Sequence, residues 1–228
     1  MPPMIDLYTW STPNGWKVSI ALEEMGLDYE VHPINIGKGD QFEPEFLAIS
    51  PNNRIPAIVD RETGYSIFES GAILQYLARK TGRFYGEGEA GRIEVEKWLM
   101  WQMGGLGPMA GQAHHFLKYA PAMEPPNDLP YAKDRYRNEV KRLYGVLDKQ
   151  LSKNEFVAGP YSIADMAIWP WANLWEGQQQ EIENFPHMKA WLDKVWQRGA
   201  VQRGKAVLDE TRSDGFDKEA QGHLFKSK

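Results

Sequence analysis

"YTWSTPNGWKVSIALEE", residues 8–24, decides how the first third of the chain is read. It continues the short extended segment "MIDLYTW" and closes as a helix, with Val18, Ile20, Ala21 and Leu22 near helical spacing. Between the two, Ser11, Thr12, Pro13, Asn14 and Gly15 crowd into one turn. Thr12 followed by Pro13 reads as a helix start, with threonine as N-cap and proline at the first helical position. Gly26 is placed to stop that helix. The turn holds more hydrogen-bonding side chains than a cap requires.

Working outward, "DYEVHPI" alternates as a second strand and "EPEFLAIS" is at most a short helix. "PAIVD" and "YSIFE" read as two strands joined by the turn "RETG". "SGAILQYLARKTG" is a helix with Ser70 as N-cap and Gly82 as stop. Residues 1–85 therefore form a βαβαββα unit, and 83–90, "RFYGEGEA", mark a change of composition and a linker. Beyond it no strand pattern recurs, so 91–228 is expected to be an all-helical domain. Tyr136, Val140, Leu143, Tyr144, Leu147 and Leu151 define one long amphipathic helix. Ser162 and Asp165 have capping-box spacing before the apolar run "MAIWPWANLW", which should be central and buried. Met188, Trp191, Leu192, Val195 and Trp196 form a further helix between Pro186 and Gly199, and the polar stretch from about Ser213 should fray.

The 228 residues are enough for one large or two modest cores, and 42% hydrophobic with 25% charged residues is an ordinary globular composition. No apolar run reaches the ~18 residues of a membrane span, and the N-terminus lacks the pattern of a signal peptide. A cytoplasmic location is the expectation. A net charge of -5 with interspersed Lys and Arg argues against nucleic acid or an anionic membrane as partner. Cysteine is absent, which excludes disulfides, thiolate metal ligands and a protein-borne thiol nucleophile. Any thiol chemistry must use a sulfur that a ligand brings.

An α/β unit followed by a helical one, together with "TPNG", "SPNNRIPAIVD", "FESGAILQYLA" and "GGLGPMAGQAHHF", resembles the soluble glutathione transferases over nearly the whole chain. The combination looks like the bacterial Nu-class enzymes, which are similar to the fungal nitrogen-regulator prion protein. The resemblance implies a thioredoxin-like domain plus an all-α domain, assembled as a homodimer. It also implies glutathione or glutathione disulfide as ligand, and reduction of a small disulfide by a bound glutathione thiolate. Glutathione conjugation to electrophiles and reduction of organic hydroperoxides use the same thiolate and are the alternatives. A non-catalytic glutathione-binding regulatory protein is a further one.

Each candidate site residue has a plainer reading beside the functional one. Pro56 is either a simple strand entry or the second residue of a cis Ile55–Pro56 turn. The resemblance favours the cis turn, whose Ile55 backbone would pair with the cysteinyl unit as an added strand does. Ser70 is a cap, an anion-binding residue, or both. Glu69 makes sense beside an anion site if the ligand also carries an ammonium, and the resemblance assigns Glu69 and Ser70 to the γ-glutamyl end. Gln41 and Arg54 are candidates for the glycyl carboxylate, Arg54 being equally readable as a solvated charge. Arg135, on the polar face of the long helix, matches a family arginine that contacts glutathione. His114 and His115 point about 100° apart on a helix and are poor joint metal ligands. They are expected to line the second substrate's pocket or to bond in the core, with no metal.

For the opening turn, the physical problem is a glutathione thiol of pKa near ~8.5, only slightly ionised at neutral pH. A helix N-terminus stabilises an adjacent anion by up to about 2 kcal/mol, or roughly 1.4 pKa units. A hydroxyl or amide N–H adds a hydrogen bond to sulfur. Thr12 and Asn14 fit as those donors, neither being a base near pH 7. Tyr8 and Ser11 are rivals, since other members of the family keep a catalytic tyrosine or serine at comparable places.

Overall fold

The computed structural model describes residues 4–212 and 217–225. Contacts divide the chain into two compact units, one running to Thr81 and resuming at Ala200, the other spanning Gly82–Gly199.

The first unit is built on β1 (Ile5–Thr9), α1 (Pro13–Met25), β2 (Tyr29–Pro33), α2 (Pro44–Leu47), β3 (Ala57–Asp60), β4 (Ser66–Phe68) and α3 (Ser70–Thr81). The sheet order is β2-β1-β3-β4. β1 and β2 are parallel because α1 serves as their crossover, whereas β3 and β4 need only a turn and pair antiparallel. Ile5 and Leu7 are fully buried on one face of β1, while Asp6 and Tyr8 take the other. The βαβαββα order and the thioredoxin-like class are as the sequence leads one to expect.

Helix α1 begins as its turn chemistry dictates. Thr12 is extended at φ -137°, ψ 160°, and its Oγ1 accepts the Gly15 N–H at 3.2 Å. Gly26 ends the helix in the left-handed region at φ 68°. Almost every side chain from Gly15 to Met25 is buried, so α1 is central to this unit. At α3 the structure differs by one residue: Ser70 is already helical, and Glu69 is the flanking residue, at φ 70°.

The second unit holds α4 (Gly88–Trp101), α5 (Gly107–His114), α6 (Pro130–Leu151), α7 (Ile163–Ala172) and α8 (Pro186–Trp196). Two π-helical segments, Gln102–Leu106 and His115–Tyr119, flank α5. The sequence carries little sign of them beyond "GGLGP", where Pro108 cannot donate to the carbonyl one turn back. Helix α6 buries Val140, Leu143, Tyr144, Leu147 and Leu151 of the expected stripe, while Tyr136 is only half-buried and stacks on Phe116.

The N-terminus of α7 is the best-bonded corner of this unit. Asp165, fully buried, accepts from Val157 N–H, Ser162 N–H and Trp191 Nε1–H, each at 3.0 Å. The Ser162 hydroxyl adds a bond at 3.3 Å and also caps Ala164. Burial pushes the Asp165 carboxyl up to about 6 even against these donors.

The C-terminal segment departs from the expected 91–228 domain. Gly199 follows the end of α8 closely, as expected, but it also opens α9 (Gly199–Ala206), and from Ala200 the chain packs with the first unit. The reason is a close approach of backbones. A Cβ on Gly204 would sit 2.5 Å from the Ile20 Cα, and the Ser19 hydroxyl donates to the Gly204 carbonyl at 2.6 Å. Of the tail expected to fray, Lys218–Phe225 is helical (α10), while residues 213–216 and 226–228 lie outside the described residues.

Candidate active site

A cavity of about 150 Å³ opens in the first unit where three segments meet. Asn14 comes from the start of α1, Asn52, Arg54, Ile55 and Pro56 from the loop before β3, and Phe68, Glu69 and Ser70 from the β4–α3 corner. The Ile55–Pro56 bond is cis. The loop is tied internally by the buried Ser50 hydroxyl, which donates to the Arg54 carbonyl at 2.8 Å.

The electrostatic character of the cavity follows from its walls. Two helices, α1 and α3, bring their N-terminal ends to it, and neither has an acidic side chain in its first turn. The dipoles of these helix ends favour an anion there. The one carboxylate on the wall is Glu69, which receives the Asn52 amide at 3.4 Å. Its left-handed backbone is uncommon for a residue with a side chain, and such conformations concentrate at ligand sites. A ligand with both an anionic group and an ammonium matches this wall.

Several of the sequence-based candidates are thus brought together: Asn14, Arg54, Ile55, Glu69 and Ser70. The Arg54 guanidinium lies exposed and donates to the Asn53 side chain at 2.9 Å. Thr12 does not line the cavity but adjoins it in sequence. Its Oγ1 acts as acceptor to Gly15, which leaves the hydroxyl proton available to a second partner.

Others are placed elsewhere. Gln41 is 2% exposed, and its amide donates to the Ile36 carbonyl at 3.2 Å instead of lining the cavity. Tyr8 stacks on His32, with centroids 4.7 Å apart, and burial raises its phenol pKa. The Ser11 hydroxyl oxygen is buried with no hydrogen-bond partner among the described residues. Arg135 stands exposed on α6, in the second unit. His114 and His115 are also there, against Tyr119 and Phe116 respectively, and burial lowers the His115 pKa. Asp6, Glu30 and His32 come close enough to share a cation, yet the Arg61 guanidinium already bridges Asp6 and Glu30.

Asn52 and Phe68 were not singled out from the sequence. Both lie inside or beside quoted motifs, but only the fold turns them towards Asn14.

Gly15 fixes the turn from behind. A Cβ there would collide with the Trp10 carbonyl, which already accepts the Thr12 N–H at 2.7 Å, and with Thr9 Oγ1. Gly15→Ala is expected to displace Thr12 and Asn14 and to abolish most activity while far-UV circular dichroism stays native. Unchanged turnover would show that the turn tolerates the shift.

The comparisons with known proteins agree with this architecture. Residues 3–79 match the Glutathione S-transferase, N-terminal domain, and residues 111–198 the Glutathione S-transferase, C-terminal domain. The chain belongs to the glutathione S-transferase family. It is 48% identical to disulfide-bond oxidoreductase YfcG of Escherichia coli (strain K12) over 219 residues, covering 92% of this chain and 100% of that protein. A glutathione transferase family member from Pseudomonas fluorescens pf-5, solved with two glutathione bound, has 46% identity and a TM-score of 0.82, covering 90% of this chain and 93% of that one. A glutathione transferase from Pseudomonas putida, with one glutathione disulfide bound per subunit, has 44% identity and a TM-score of 0.84, covering 90% and 92%.

Proposed function

We propose that the protein is a glutathione-dependent disulfide oxidoreductase. The observation that carries this reading is a cavity formed by two helix N-termini, a cis-proline turn and Glu69, in a chain without cysteine. Such a site holds a ligand's thiolate and has no thiol of its own to form a mixed disulfide. Its similarity to a named disulfide-bond oxidoreductase, and to relatives solved with two glutathiones or with glutathione disulfide, supports the same reading.

In this mechanism Asn14 and Thr12 donate hydrogen bonds to the glutathione sulfur, and the α1 N-terminus favours its ionised form. Ile55 pairs through its backbone with the cysteinyl unit, and Glu69 with Ser70 hold the γ-glutamyl ammonium and carboxylate. Arg54, which lines the cavity, would donate to the glycyl carboxylate. Gln41 would have to leave its bond to Ile36 to share that role. The thiolate attacks one sulfur of the substrate disulfide. That S–S bond breaks as the new one forms, and the departing thiolate takes a proton. A second glutathione thiolate attacks the mixed disulfide and releases the second thiol. Two glutathiones are oxidised to glutathione disulfide, and their protons reside on the two product thiols.

The protein would act as a homodimer in the cytoplasm, with residues 1–85 binding glutathione. Purified protein is expected to turn over hydroxyethyl disulfide in a coupled glutathione reductase assay well above the uncatalysed exchange rate. Turnover equal to background would remove the enzyme reading and favour a regulatory glutathione-binding protein. Conjugation of an aromatic electrophile or hydroperoxide reduction at a higher kcat/KM would reassign the second substrate.

A further inference from the structure

A second cavity, of about 280 Å³, lies wholly within the second unit, between α6 and the loop that joins α7 to α8. Its volume puts it near the lower end of small-molecule sites, which begin at about 300 Å³. On one wall Arg137 and Lys141 stand one turn apart on α6, with Asn138 beside them. The loop supplies Gln180, Glu181 and Phe185, the one apolar residue of the lining.

Gln180 sets the chemistry. It is only 6% exposed, and it belongs to the cavity wall. Its Nε2 donates to the Arg137 and Gln178 carbonyls, each at 3.0 Å, so two acceptors fix which way the amide faces. That leaves Oε1 an acceptor with no donor among the described residues. The network behind it is closed: Gln178 takes the Tyr144 hydroxyl at 2.6 Å and donates to the Trp171 carbonyl at 2.8 Å. Polar atoms of buried side chains are normally matched, so the unmatched oxygen on this wall calls for a donor from a ligand.

Gln179 gives a second sign. It stands at φ 52°, where a helical turn closes with the Gln180 N–H on the Trp175 carbonyl, a place that glycine usually fills. Side chains held in this region of backbone space concentrate at ligand sites. Its Oε1 receives a long bond, 3.5 Å, from Arg137 on the facing wall.

The charges are separated by sign. Lys141 has no ion-pair or hydrogen-bond partner among the described residues, and Arg137 is shared between Asp134 and Gln179. Glu181 takes the Asn184 amide on Oε2 at 2.9 Å, and no donor among the described residues reaches its Oε1. Glu139 on α6 is held by Arg142, and Glu183 on the loop by Lys189. The helix thus offers cations and the loop two acceptors. A carboxylate with an ammonium beside it answers both.

We propose that this cavity binds the α-amino-acid head of a small molecule, its carboxylate on Lys141 and Arg137 and its ammonium on Gln180 Oε1 and Glu181. Free amino acids carry that head, and so does the γ-glutamyl end of glutathione. The site shares no residue with the candidate active site, and its failure would leave the disulfide oxidoreductase reading intact.

The test follows the amide signals of residues 138, 141 and 179–184 by nuclear magnetic resonance in isotope-labelled full-length protein. L-Glutamine is the free amino acid and S-methylglutathione the tripeptide. At least one should shift these signals saturably, with a Kd of about 1 mM or tighter, and the one that does identifies the source. The same ligand N-acetylated, which removes the ammonium, should bind about tenfold more weakly, as should the intact ligand to Lys141→Met or Glu181→Gln. Both variants should keep the parent's disulfide turnover. No saturable shift with either ligand would overturn the proposal. So would shifts that persist at full strength in both variants, or equal binding of the acetylated ligand or of inorganic phosphate, which would mark a plain anion patch.

Discussion

Asn14→Ala should lower kcat/KM for reduction of a small disulfide about 10- to 100-fold while leaving the chain folded. The range corresponds to losing one hydrogen bond to a charged acceptor, about 1.5–3 kcal/mol. Asn14 is the donor residue that lies on the cavity wall and belongs to the first turn of α1. The acid limb of the pH–rate profile should move to higher pH in the variant, because the thiolate has lost a partner that the neutral thiol does not need. Thr12→Ala removes a donor and the helix cap together, so it should cost activity and also about 1 kcal/mol of stability. Thr12→Ser retains both functions and is the control. Loss of activity in Ser11→Ala or Tyr8→Phe, with Asn14→Ala and Thr12→Ala active, would transfer the role. Ser11 is the stronger rival, since its hydroxyl has no partner among the described residues whereas Tyr8 is stacked on His32.

Asp165→Ala should produce the largest loss of stability, about 4 kcal/mol, seen as a fall in Tm of roughly 10 °C. The change strands the N–H groups of Val157, Ser162 and Trp191 in a site with no solvent exposure. Each orphaned buried donor costs about 1–3 kcal/mol, which relaxation reduces in part. Asp165→Asn keeps the volume and should lose less. It also tests the pH dependence. Because the folded carboxyl titrates near 6, above the ~3.9 of an unfolded chain, its contribution to stability is complete below about pH 4 and is lost as pH rises through 6. Asp6 and Asp60, whose carboxyls are held below the usual range, contribute with the opposite sign and lose their share as pH falls. In Asp165→Asn the stability profile should therefore slope more steeply upward with pH between 4 and 6. An unchanged profile in chemical denaturation would show that Asp165 does not titrate there. A Tm within 2 °C of the parent for Asp165→Ala would show that the corner is held otherwise.

Local chemistry made much of this molecule legible. Thr12, Pro13 and Gly26 delimit α1 because a cap, a missing N–H and a left-handed stop act within a few residues of themselves. The capping box at Ser162–Asp165 and the apolar stripe of α6 are equally local. Elements whose form depends on distant partners were not so readable. The segment from Ala200 onward has helical composition like the region before it, and its attachment to α1 arises from the fit of Gly204 against Ile20 across the fold. The π-helical segments around α5 have no sequence period of their own.

The candidate site divides along the same line. Periodicity and turn residues established that a helix starts at Thr12 and another near Ser70, and the lack of cysteine established that any reactive sulfur is borrowed. That both helix starts, the cis turn at Pro56 and the left-handed Glu69 converge on one cavity is a property of the sheet order β2-β1-β3-β4. The same packing buries Gln41 against Ile36. A side chain's chemistry is written in its own residue and its neighbours along the chain. Its direction is set by backbones that meet only when strands pair and helices pack, so convergence is a fact of three dimensions.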